Sequence, residues 1–149
     1  GLMWQQTDNG SGIDWEHALA YAQTQNNANY LGHNDWRLPN SKELQSLVDY
    51  TRSPGATIPA NVGPAINALF SCTGILNEGG KADYPYNWTS TSATTTYDNA
   101  WYVAFGRAED GNGEDLHGAG AVRFDKKIVG NGQGEERVLN FVRLVRNIQ

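Results

Sequence analysis

Residues 35–50 read DWRLPNSKELQSLVDY, and the fold turns on how this stretch is read. Asn40 can cap a helix, and Glu43, three residues on, can reach back to close a capping box. Pro39 fixes the chain's entry, while Leu44, Leu47 and Val48 fall on one helical face. The stretch therefore predicts a helix over 40–51. Just upstream, Arg37 stands between Trp36 and Leu38, as either a displayed recognition group or a strut. One Trp, one Leu and a helix cap within six residues make a packing motif. Trp36 and Leu38 are expected in the core. Arg37 is expected to be mostly buried, its planar five-donor fork tying backbone carbonyls or a carboxylate. Trp36, Arg37, Asn40 and Glu43 thus read as scaffold.

Working outward, LMW at 2–4 is a short apolar strand, expected beside the closing strand near 141–145 because both runs need a partner. DWEHALAYAQTQNN predicts a helix over 14–26, with Asp14 as N-cap and Trp15, Ala18, Leu19 and Ala22 on one face. Residues 51–85 form a long irregular segment punctuated by Pro54, Pro59 and Pro64, and segments of this kind usually carry function or move. The last third reads as strands. NWTSTS (87–92) and AWYVAF (100–105) alternate, with Trp101, Val103 and Phe105 on one face and Tyr102 on the other. An acidic, glycine-rich loop (106–120) follows, then AVRFD and VLNFVRLVR around a turn-rich GNGQGEE. No repeat or linker divides the 149 residues, so 1–149 reads as one α+β domain cut from a longer secreted or surface protein.

Composition removes several function classes. The net charge of −5 is uneven: residues 121–149 hold six basic and three acidic groups, whereas 1–120 hold five and thirteen. An acidic chain without a basic stripe does not suit nucleic acid, whose binding is driven by phosphate neutralisation. No apolar run reaches the roughly 18 residues of a membrane span, so no membrane insertion is expected. Cys72 is the single cysteine, and its apolar neighbours make it a small buried hydrophobe rather than a reactive thiol. The opening GLMWQQ is folded-looking sequence, so any export signal is expected to have been cleaved or to lie outside these residues.

Taken in order, GLMWQ, WEHALAYA, GHNDWRLPNSKELQSLVDY, YNWTSTS, AWYVAF and FVRLVR resemble the C-terminal domain of the Legionella collagen-like adhesin, over nearly the whole chain. The resemblance implies a C-type lectin-like fold, two helices flanking twisted antiparallel sheets with long loops, related to the formylglycine-generating enzymes. It also implies a secreted, periplasmic or cell-surface domain, trimeric and directed to sulfated polysaccharides. Many members carry Cys where this chain has Ala22 and Leu144, so apolar packing is expected in place of a disulfide. The collagen-like repeats tied to trimerisation are absent from this sequence.

The functional residues divide by chemistry. His17, His33 and His117 lie at no metal-ligand spacing, and no GxSxG, HExxH or P-loop occurs. A single cysteine argues against the copper chemistry of the formylglycine-generating enzymes, leaving an enzyme as the third reading. Glu109 with Asp110, and Glu114 with Asp115, read as a solvated acidic loop. Asp110, Asn112 and Glu114 have the alternation of a calcium loop but lack its glycine and distal glutamate, so no cofactor is expected, with calcium as the alternative. Sugar rings stack on aromatics and need amide and charged partners. Tyr84, Tyr86, Tyr97, Asp98, Asn99, Tyr102 and Arg107 supply both and are the candidate glycan site, through the loops of 51–87 and 97–120. A polyanion would instead need Arg123, Lys126, Lys127 and Arg137, with Arg143 or Arg146. A glycan or extracellular polysaccharide is the expected partner. The alternative is a protein-interaction or assembly domain, including a homo-oligomer.

Overall fold

A computed structural model describes residues 1–110, 114–128 and 139–148. The described chain is α+β: β1 (Leu2–Trp4), α1 (Trp15–Asn27), α2 (Ser41–Gln45), β2 (Ile75–Leu76), β3 (Ala82–Asp83), β4 (Tyr86–Ser92), β5 (Asn99–Ala104), β6 (Val122–Lys126) and β7 (Val145–Asn147). All strand pairs within the sheets are antiparallel: β4-β5-β6, β1-β7 and β2-β3.

The three-stranded sheet is the centre of the packing because both of its faces are apolar. From β5, Ala100 and Tyr102 join Trp88, Trp36, Leu38, Val142 and Leu144 in one buried cluster, to which α1 adds Ala18 and Ala22. Val103 and Phe105 point the other way and meet Ile66 and Leu44, the latter from α2. The two helices therefore cover opposite faces of the sheet. Leu19 departs from its expected place and is exposed on α1. Ala22 and Leu144 lie in the same buried cluster.

The expected capping box is present: Asn40 Oδ1 accepts from Glu43 N at 2.9 Å, and Glu43 Oε2 accepts from Asn40 N at 2.8 Å. The helix it starts is shorter than the predicted 40–51 and stops at Gln45. Tertiary pairing ends it: Asp49 N donates to Ala65 O at 3.0 Å, and Val48 bridges to Ile66. Leu47 and Val48 still pack half-buried on the second cluster.

The termini meet as expected, with Leu2 opposite Asn147, Met3 opposite Arg146 and Trp4 opposite Val145. The closing strand is shorter than VLNFVRLVR and begins at Val145. Preceding residues pair singly instead, Asn140 with Ile13 and Phe141 with Asn87. Arg37 adds a rung beside β7, its N–H and C=O both bonded to Val145 at 2.9 Å. Its side chain corrects the expectation of burial. It is 40% exposed and donates to Glu43 Oε2 (2.8 Å), Glu43 Oε1 (2.9 Å) and Asn147 Oδ1 (2.8 Å). Trp36 and Leu38 do face the core.

The interior guanidinium belongs to Arg143, with 0% exposure. Its Nη1 donates to Gln5 O at 2.8 Å and its Nη2 to Ser71 O at 2.7 Å, beside the Phe70 ring at 5.2 Å. It thus clamps the exit of β1, the closing segment and the long irregular segment together. Cys72 sits half-buried beside it, its thiol pKa raised by burial.

Candidate functional site

A cleft of about 310 Å³ opens where β2, β3 and the residues following β5 converge. Local sequence builds its walls. Asn77 to Lys81 form a turn, with Asn77 N donating to Lys81 O at 2.9 Å, which folds β3 back onto β2. Gly106 lets the chain after β5 lie directly against Tyr84 and Asp83, because a Cβ there would overlap Tyr84 O and Asp83 Oδ1. That close approach brings Arg107 and Glu109 to the same cleft as Tyr84 and Tyr86.

Asp83 organises the polar wall. Its buried carboxylate accepts from Tyr84 N (2.9 Å), Arg107 N (3.0 Å) and Asn77 Nδ2 (3.1 Å), and lies 3.5 Å from Arg107 Nη1. Arg107 is further fixed by donating to Ala82 O at 3.1 Å. The Asn77 amide also donates to Glu109 Oε1, so a single amide orients two carboxyl groups. Glu109 is 6% exposed. Loss of water, with the negative charges of Asp83 and Glu78 nearby, pushes its pKa up to about 7. Arg107 and Lys81 act in the opposite direction.

Tyr84 and Tyr86, both half-buried, and the buried Phe141 form the aromatic part of the lining. Tyr86 is stacked on Tyr102, ring centroids 4.8 Å apart and planes within 11°. Its hydroxyl accepts from Glu109 N at 3.1 Å. Tyr102 itself, expected as a ligand contact, is 4% exposed and serves as the core support under Tyr86.

The remaining candidates divide by position. Tyr97, Asp98 and Asn99 lie at the opposite end of the β4–β5 hairpin from Tyr86, which pairs with Ala104. Tyr97 is 82% exposed there, and Asp98 pairs with Lys126. Among the polyanion candidates, Lys127 Nζ donates to Ser92 Oγ (2.7 Å) and Tyr97 O (2.8 Å) and lies 4.2 Å from the centre of a Trp15 ring. Arg146 is paired with Asp35 at 2.6 Å. Arg143, offered with them, is corrected: it is wholly buried. Arg123 is half-exposed on β6, across from Tyr102, and Arg137 lies outside the described residues.

Of the calcium candidates, Asn112 also lies outside the described residues. Asp110 Oδ1 accepts from Glu114 N at 3.1 Å, so this carboxylate holds its own turn. Among the described residues no group of three His, Cys, Asp or Glu side chains is gathered for a metal. The reading of Glu109 as solvated is corrected, since it is buried in the cleft. Sequence reasoning also passed over Asn77, Asp83 and Phe141. The available signals were the turn-forming NEGGK before Ala82 and the apolar flank of Glu109 in VAFGRA.

A family model described as the Lcl C-terminal domain matches residues 1–146, a span that includes every residue of the cleft. The chain belongs to the Lcl C-terminal domain family. No curated protein and no solved structure matches it. In this Lcl C-terminal domain, no described helix is long and apolar enough to cross a membrane.

Proposed function

We propose that this chain is a non-catalytic carbohydrate-binding domain of a bacterial surface protein, on a C-type lectin-like plan, whose cleft takes an uncharged or weakly charged sugar. The observation that carries this reading is the lining itself. Tyr84 and Tyr86 offer apolar ring surface for the C–H face of a pyranose. Glu109 stands beside them in the lining as a polar group for hydroxyls, while Asn77 and Arg107 hold the Asp83 side of the wall in place. The paired termini and the helices on opposite faces of the central sheet support the lectin-like plan.

Charge argues against a sulfated ligand at this cleft. Glu78, Asp83 and Glu109 line it, and Arg107 is already committed to Asp83 and Ala82. A polyanion requires concentrated positive potential, which this lining does not supply. The basic residues of 121–128 are also partly committed, Lys126 to Asp98 and Lys127 to Ser92 and Tyr97.

The test is a titration with neutral oligosaccharides at low and high salt. The wild type is expected to bind with little salt dependence, because few ion pairs form. Tyr84→Ala is expected to weaken binding several-fold, since it removes ring surface against which the sugar would pack. Binding of sulfated but not neutral glycans, falling steeply with salt, would move the site to the 121–128 surface. Failure of every glycan would favour the protein-interaction reading.

A further inference from the structure

The lining of the cleft is not chemically uniform. Asn77 and Arg107 are both bonded to Asp83, so much of its polar surface is committed to holding the wall. Another part of the lining carries no polar side chain at all. Gly12, Pro85, Leu139 and Phe141 supply it, together with Ile75 from β2. The backbone fixes most of this surface. Ile13 and Asn140 exchange both backbone bonds, at 3.0 and 3.1 Å, so the neighbouring Gly12 and Leu139 are carried together. A Cβ at residue 12 would fall 2.4 Å from Leu139 O, so glycine is what permits this approach. Phe141 N donates to Tyr86 O at 2.8 Å, which ties the apolar surface to the strand that bears the tyrosine.

We propose that the cleft selects a sugar carrying an acetamido group, a 2-acetamido-2-deoxyhexose unit, whose methyl lies on the surface of Ile75, Leu139 and Phe141 while its ring stacks on Tyr84. This rests on the carbohydrate reading above and narrows it to one substrate class. Desolvation decides the preference. Beyond its ring face a plain hexose presents hydroxyls, and a hydroxyl set against aliphatic carbon loses water without gaining a partner. A methyl group in the same place buries apolar surface on both sides of the contact. The sugar is then apolar at two separate points, its ring face and its methyl, as the lining is at Tyr84 and at the aliphatic surface. The acetamido group also brings no charge. A carboxylate or sulfate substituent would instead meet the carboxyl side chains of Glu78, Asp83 and Glu109 in the same lining.

The experiment compares two neutral trimers of equal length and identical linkage, one of N-acetylglucosamine and one of glucose, by calorimetric titration of the whole chain. The acetylated trimer is expected to bind about fivefold more tightly, the gain from burying one methyl group. Leu139→Asn and Ile75→Thr each keep the size of the side chain and set a polar atom on the apolar surface. With folding verified by melting curves, each is expected to bring the two affinities towards equality. Equal or weaker binding of the acetylated trimer by the wild type overturns this inference and leaves the carbohydrate reading standing. So does failure of both trimers where another neutral glycan binds. A preference undiminished in both variants puts the acetamido group elsewhere and also overturns the inference. If no glycan binds at all, the carbohydrate reading falls first and this inference with it.

Discussion

A guanidinium with no exposed surface depends on acceptors inside the protein, and Arg143 finds them through its two Nη groups while its buried Nε has none among the described residues. Arg143 donates to the carbonyls of Gln5, Gln6 and Ser71; Gln6 O also accepts from Ser71 N, so removing the side chain takes the guanidinium donor chiefly from Gln5 O and Ser71 O. Arg143→Ala is expected to cost about 3 kcal/mol or more. Arg37 makes a better-looking ion pair, bidentate on Glu43, but water reaches it. Its loss also loosens the capping box, so Arg37→Ala is expected to cost only about 1 kcal/mol. Urea denaturation of both variants checks the ranking, and a larger loss for Arg37→Ala would mean that the wrong arginine carries the structure. The sequence draws attention to Arg37 because its partner Glu43 stands six residues away, inside one motif. Arg143 reaches partners 138 and 72 residues distant, and no local pattern announces that.

Among elements, the β4–β5 hairpin decides which tyrosines can act together. Tyr86 and Tyr97 are close in sequence, yet the hairpin places them at its two ends, roughly 20 Å apart at about 3.3 Å per residue. Alternation in the sequence was enough to locate both strands and to separate Tyr102 from Val103 and Phe105. It could not show that both faces are buried, since the second cover comes from α2 and from Ile66, far along the chain. The start of α2 was legible for the same reason that Arg37 was, because a capping box is local, whereas its end is imposed by residues 65–66. Tyr97→Ala is therefore expected to leave glycan affinity unchanged. Gly106→Ala should abolish affinity and lower the melting temperature together, since its methyl group would force the strand exit away from Tyr84 and Asp83. Full affinity in Gly106→Ala would show that the ligand does not use this cleft.

Across the whole molecule, the titrating carboxyl groups pull stability in opposite directions. Arg37 holds the pKa of Glu43 below its ordinary value, so this pair contributes above the usual carboxylate range and is lost as pH falls through the lowered value. Glu109 acts in the reverse sense. Its pKa rises from an ordinary 4.5 to about 7, so between those values the folded protein keeps a proton that the unfolded chain has released. Stability must then fall as pH rises through this window and level off above it. No acidic loop read from sequence alone would have predicted that, because the shift comes first from burial and then from the charge of Asp83, which lies far from Glu109 in sequence. Glu109→Gln removes the ionisation while keeping an amide of similar shape. It is expected to melt higher than the wild type at pH values above about 7, with the difference shrinking towards pH 4.5. Parallel melting curves across that range provide the measurement. A variant that is less stable than the wild type at high pH would mean that Glu109 is ionised and well compensated in the folded state.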